Sequence, residues 1–330
     1  MKLRRSLAAL LGLGLLAAAL GIFIAAPSAE GRAARRVSLQ RAAEWGVWKM
    51  HAGHVTSLEE LAAELPPFVH RGRPSATPPP TAVPVVPYHP VQARKPVLYL
   101  YSSEVCRATG VQIHVGLRVG GSTLYYPQAT ASHHGLDFRG VLYPAQLTRD
   151  CPTPTGMPRA PRGHFWNDLR AVPASVFETS SGEAERFIFY DALTDLRVPF
   201  VFYGAGEHGS VSARPGRQPQ VGVDDVVYVV HGGRYRRLVP SGPSPTPIAG
   251  GDSRPMQTLE GELRSQLLAR GLTADEAQSL LATWHPDLIE ALGDRRIYFV
   301  DRADYDAMLP LTISPRPRQM VRVGLVIDIP

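Results

Sequence analysis

From Val111 to Arg118 the chain alternates without a break, with Val111, Ile113, Val115 and Leu117 on one side and Gln112, His114, Gly116 and Arg118 on the other. A period of two belongs to a strand with one buried and one solvated face. Gly120-Gly121 then offers the positive φ angles of a tight turn, and Leu124 to Tyr126 begins a return strand, so the pattern predicts a hairpin. Lys95 to Tyr101 (KPVLYLY) reads as a strand from its β-branched and aromatic residues. Further strands are expected at Leu136 to Tyr143, Arg186 to Tyr190, Pro199 to Tyr203, Val226 to Val230, Arg234 to Val239 and Arg295 to Val300. The last runs from Val321 to Ile329, with Val321, Val323, Leu325, Ile327 and Ile329 sharing a face.

Between about 257 and 292 the period changes. Leu259, Leu263 and Leu267 recur every four residues, Gly271 offers a C-cap, and Thr273 with Glu276 forms a capping box before Ala277, Leu280, Leu281 and Trp284. Two helices with one apolar side need a sheet to cover. The fold class expected is therefore α+β and β-rich: an antiparallel β-sandwich or twisted sheet with an inserted helical hairpin, spanning 95–330. Upstream, residues 32–70 read as a short helical segment, with overlapping capping boxes at Thr56/Glu59 and Ser57/Glu60, and with Trp45 and Trp48 three apart on one helix face. Residues 71–94 read as a proline-rich linker, since ten prolines fall between Pro66 and Pro96.

The N-terminus changes the setting. Lys2, Arg4 and Arg5 precede an uncharged stretch from Leu7 to Ala26, so residues 1–31 read as a signal peptide or an N-terminal membrane anchor. The protein is then exported: periplasmic, secreted or held at the membrane through that segment alone. Cys106 and Cys151 are its two cysteines, and an oxidising compartment would let them pair, closing a loop that stabilises the fold by about 4 kcal/mol. The net charge of +6 is carried by scattered, mostly arginine residues, which argues against a nucleic-acid partner.

KPVLYLY at Lys95 to Tyr101, the strand ending in Tyr126-Pro127, and Leu272-Thr273-Ala274-Asp275-Glu276-Ala277 leading to Trp284 come in a distinctive order. They are followed by Leu309-Pro310-Leu311-Thr312-Ile313-Ser314-Pro315-Arg316-Pro317 and Val321-Arg322-Val323. Together they resemble a group of uncharacterised bacterial exported or surface proteins over residues 95–330. The chain departs from that pattern at Ser102, where those proteins commonly carry proline. The resemblance implies a shared fold and an envelope setting, and brings no activity, cofactor or catalytic residue with it.

Candidate chemistry is sparse. Gly204-Ala205-Gly206-Glu207-His208-Gly209 fits GxGxxG after a strand, but Ser210 to Gly216 is no helix opening, so a glycine-rich loop between strands is expected and no nucleotide cofactor. Glu207 and His208, with Asp224 and Asp225, are the acid/base candidates if they border a cleft. His133-His134 and His51 with His54 lack a third ligand, so no metal site is expected. Tyr125, Tyr126 and Tyr190 are the candidates for an aromatic binding platform on strands. The function expected is a non-enzymatic binding module for an envelope protein or polysaccharide, with a hydrolase acting on an envelope polymer as the alternative.

Overall fold

Residues 39–51, 64–72, 91–102, 107–118, 124–132, 134–145, 151–204, 208–217 and 221–330 are described by the computed structural model. The expected signal peptide or anchor at 1–31 and the capping boxes near Thr56 lie outside them. Strand β1 (Leu39–His51) runs near the middle of the largest sheet, parallel to β20 (Gln319–Ile329) and antiparallel to β3 (Val91–Ser102). The sheet extends from β20 through β18 (Arg295–Val300), β14 (Val227–His231) and β15 (Arg234–Leu238) to β17 (Asp252–Pro255). On the other side β3 leads to β10 (Phe187–Tyr190), β5 (Leu124–Tyr126) and β2 (His70–Arg71), with β11 (Ala192–Thr194) also on β3. The β1–β20 pair is parallel and the other pairings of this sheet are antiparallel.

The two faces of this sheet are covered differently. On one, helices α1 (Trp166–Arg170), α2 (Leu259–Ala269) and α3 (Ala274–His285) pack against Trp45, Tyr99, Phe299 and the Val321, Val323, Leu325, Ile327 row. The helical hairpin is as expected: the Thr273 hydroxyl accepts from the Glu276 N–H and the Glu276 carboxylate accepts from the Thr273 N–H. Gly271 takes φ +96 just past α2, the left-handed position that favours glycine. On the other face lie two smaller sheets. One comprises β19 (Leu311–Ser314), β4 (Thr109–Gly116), β7 (Gly135–Tyr143), β8 (Val176–Thr179) and β9 (Ala184–Glu185), with β6 (Thr130–Ser132) on β7. The other is β12 (Phe200–Tyr203), β13 (Ser210–Ala213) and β16 (Thr246–Pro247). Trp48, Leu98, Val326 and Tyr298 of the large sheet meet Ile113, Phe138, Phe177 and Phe200 of these two sheets, with α4 (Arg302–Met308) alongside. The α+β, β-rich class stands.

Three expectations are corrected. Residues 39–51 form a strand, not a helix. Ala42, Ala43, Glu44, Trp45, Val47 and Trp48 are all buried, so a strand covered on both faces shows no alternation, and tertiary pairing overrides a composition that favours helix. Trp45 and Trp48, an odd number apart, enter opposite cores. The proline-rich stretch does not space a separate segment from the domain, because Arg71 in β2 and Val91 in β3 belong to the same sheet; residues 73–90 lie outside the described set. Finally, β4 and β5 are not a hairpin: β4 pairs with β7 and β19, whereas β5 joins β10 and β2 in the large sheet. Alternation marks a strand but does not name its partner.

Candidate functional site

Beyond β13 the chain turns at Arg214-Pro215-Gly216-Arg217, closed by the Arg217 N–H donating to the Arg214 carbonyl at 3.2 Å. Proline second and glycine third, the latter at φ +74, is the chemistry of a type II turn. The turn delivers Arg217 to Asp301, which ends β18 and begins α4. Arg217 Nε and Nη2 donate to the two Asp301 oxygens, each at 2.6 Å, and Nη2 also reaches Asp225 Oδ1 at 2.7 Å. The guanidinium lies 4.5 Å over the Phe200 ring. Arg270, one residue past α2, lies 3.9 Å over Phe299 and donates to the Asp224 carbonyl at 3.0 Å. Between these two arginine–phenylalanine stacks is a cleft, partly open to solvent, with about 10 Å³ of room, that of one water.

Charge in this cleft is tightly balanced. Burial works against the Arg217 cation, but the hydrogen bonds and charge of Asp301, with the charge of Asp225, outweigh it and hold the guanidinium above its ordinary value. Burial raises the Asp225 carboxyl; Arg217 opposes this and the Asp301 charge adds to it. Burial pushes Arg270 down to about 10, still charged at neutral pH. Asp225 and Asp301 share one nitrogen, so their bonded oxygens are at most about 5.3 Å apart, the sum of the two bonds. Two carboxylates this close with unlike burial are the usual ingredients of an acid/base pair.

Of the three acid/base candidates among the described residues, His208, Asp224 and Asp225, only Asp225 lines this cleft. The Asp224 side chain is 65% exposed and accepts from Arg237 at 3.1 Å. His208 is exposed at the far end of the β12–β13 hairpin: Tyr203 pairs Ser210 there, whereas Phe200 pairs Ala213 at the cleft end, about 10 Å away by strand rise. Glu207 lies outside the described residues, and β13 follows Gly209 where a nucleotide fold would need a helix. Sequence reasoning missed Arg217, Asp301 and Arg270. Only the Pro-Gly turn was a signal for the first; Asp301 is singled out by its contact with Arg217, 84 residues away, and Arg270 by its contact with Asp224, 46 residues away.

The aromatic platform is not formed. Tyr126 is 2% and Tyr190 0% exposed. Since β10 is an interior strand covered on both faces, Phe189 and Tyr190 are both core, and the Tyr190 hydroxyl donates to buried Glu44. Tyr125 is half-buried and stacks on His70 at 5.4 Å. Cys151 is 6% exposed, while Cys106 lies outside the described residues. His54, His133 and the His51 side chain also fall outside, and no group of three metal-binding side chains gathers among the described residues.

The outer face of the six-stranded sheet is the other feature with consistent chemistry. Registers place Thr312, His114, Asp137 and Thr130 in one row across four strands, and Ser314, Gln112 and Arg139 in the next. His114 Nδ1 is 3.0 Å from Asp137 Oδ1, and a Cβ on Gly135 would fall 2.3 Å from the Val115 carbonyl oxygen and 2.9 Å from the His114 ring. Glycine at 135 thus admits the close approach of the β4 backbone first and leaves room for the imidazole, oriented by Asp137, second. No protein-family model, curated protein or solved structure matches this chain.

Proposed function

We propose that the protein is an exported envelope or surface module that binds a polysaccharide or protein partner without turning it over, and that it docks through the outer face of the six-stranded sheet. The reading is supported by the two rows of hydroxyl, amide, imidazole, carboxylate and guanidinium groups, spaced by strand separation on one face. Polar groups fixed on a sheet lose little entropy when a hydroxyl-rich polymer hydrogen-bonds across them. In this reading Cys151 pairs with Cys106 after export.

Co-sedimentation of the exported protein with insoluble envelope polymer tests it. Arg139→Glu and His114→Ala, both on exposed positions, should release it to the supernatant while leaving its unfolding midpoint unchanged. Sedimentation that ignores both variants would overturn the docking face, and no sedimentation, with a single protein adduct on cross-linking in cells, would select the protein partner. A hydrolase remains the second reading, favoured by one observation: Asp225 and Asp301, two carboxylates of unlike burial, meet at one nitrogen of Arg217 beside the cleft. Release of soluble polymer fragments, abolished by Asp301→Asn, would establish it in place of the first.

A further inference from the structure

We propose that the cleft between the Arg217–Phe200 and Arg270–Phe299 stacks binds a secondary amide, the group carried by an N-acetylated amino sugar or by a peptide bond. The site is separate from the sheet face and stands without it. Its first support is an unused donor. The Arg217 side chain is 5% exposed, its Nε and Nη2 are committed to Asp301 and Asp225, and its Nη1 has no partner among the described residues. Buried polar groups in folded proteins nearly always have a partner, and one without, on a residue that also lines a cleft, points to a guest.

The second support is an acceptor beside it. Asp225 lines the same cleft, spends Oδ1 on Arg217, and accepts nothing at its other oxygen among the described residues. The third is neutrality: Arg217 and Arg270 face Asp225 and Asp301, so a charged guest would unbalance the site, whereas a neutral group with one acceptor and one donor leaves it balanced. The walls supplied by Phe200, Val226, Phe299 and Val300 are apolar and suit a methyl or methylene next to such a group. Size sets the pose. With room for about one water-sized group, the amide goes in carbonyl first toward the Arg217 guanidinium, and the N–H stays nearer the mouth for Asp225.

The test is a titration of the wild-type protein, labelled at its valine methyls, with N-acetylglucosamine, with N-acetylglycinamide, and with glucose as a control lacking the amide. Saturable shifts at Val226 and Val300 are expected with an amide and not with glucose. A response to N-acetylglucosamine alone makes the guest an amino sugar, and one to N-acetylglycinamide makes it a peptide amide. Arg217→Lys keeps a cation against Asp301 but removes Nη1, and should weaken the binding at least tenfold; if that variant does not fold, the wild-type titration decides alone. Val226 and Val300 signals that stay still with both amides, or that move equally with glucose, overturn the proposal and leave ordered water as the partner of Arg217.

Discussion

Glu44 with Arg322, and Arg217 with Asp301 and Asp225, are two buried ionic centres made from the same ingredients and held in opposite ways. Glu44 and Arg322 stand directly opposite one another on β1 and β20, with side chains 0% and 2% exposed and Nε to Oε2 at 2.5 Å. The Tyr190 hydroxyl also donates to Glu44, Asp306 takes Arg322 Nη1 at 2.8 Å, and the guanidinium lies 4.2 Å over the Tyr305 ring. Arg217 instead comes from a turn, Asp301 from a strand end and Asp225 from the approach to β14. Arg322 Nη2 also lacks an oxygen partner among the described residues, so an unpaired nitrogen alone does not mark a site. What separates the two centres is that Arg217 borders a cleft open to solvent and shares it with a partly exposed carboxylate. Backbone register fixes the first centre; loops assemble the second, and loops are where binding chemistry tends to be placed. A one-residue slip of β20 would move Arg322 to the helix-covered face, so the first centre also specifies the sheet's register.

The sharpest test of this contrast is Arg322→Met. It leaves Glu44 as an uncompensated charge in the core, which should cost about 3–5 kcal/mol in urea unfolding, and the double variant Glu44→Gln/Arg322→Met should recover most of the loss. A double variant as unstable as the single one would show that packing around Tyr305, not charge, holds the centre together. Arg217→Met should cost less, about 3 kcal/mol at most, because Asp225 can turn to water and only Asp301, 5% exposed, stays stranded. A larger loss at Arg217 than at Arg322 would erase the distinction between an enclosed centre and an open one.

The contrast also explains what could be read from the chain. The half-buried strand at Val111 to Gly116, the β20 row and the α2–α3 hairpin with its Thr273 cap were legible because each leaves a period or a cap in consecutive residues. Strand β1 was not legible, because burial on both faces removes the period that would have declared it. With β1 read as helix, Glu44 and Arg322 had no reason to be paired, and the proline-rich stretch looked like a spacer between separate parts. At the candidate site the visible residue was Asp225, picked out as one of two adjacent aspartates. Its partners Arg217, Arg270 and Asp301 are separated from it by eight to seventy-six positions, and no local pattern encodes a meeting of that kind.

A smaller effect isolates the turn that brings Arg217 in. A Cβ on Gly216 would meet nothing within 4 Å, but the residue sits at φ +74, so Gly216→Ala pays only in backbone conformation, about 1 kcal/mol. If the second centre depends on its loop, chemical denaturation should register this loss together with weakened order at Arg217. A neutral outcome would mean that Arg217 is held by Asp301 alone and that the turn is incidental.

The smallest effect separates the centres by pH. Burial, opposed by Arg217 and reinforced by Asp301, holds the Asp225 carboxyl above its ordinary 3.8. The native state therefore takes up this proton more readily than the unfolded chain does. Its contribution to stability is fully present below about pH 4 and is lost as pH rises through the raised value. Arg322 is shifted upward, so whatever it contributes is present throughout the acid and neutral range and adds no slope there. Asp225→Asn should remove the slope: the midpoint of the variant, relative to wild type, should climb between pH 3.5 and pH 7 by about 1–2 °C, a modest figure because Asp225 is partly exposed. Arg322→Met, by contrast, should lose most at neutral pH, where the Glu44 it strands is charged. Parallel curves for Asp225→Asn and wild type would mean that Asp225 is as well solvated as a surface aspartate, and the cleft would then lose the feature that sets it apart from the enclosed centre.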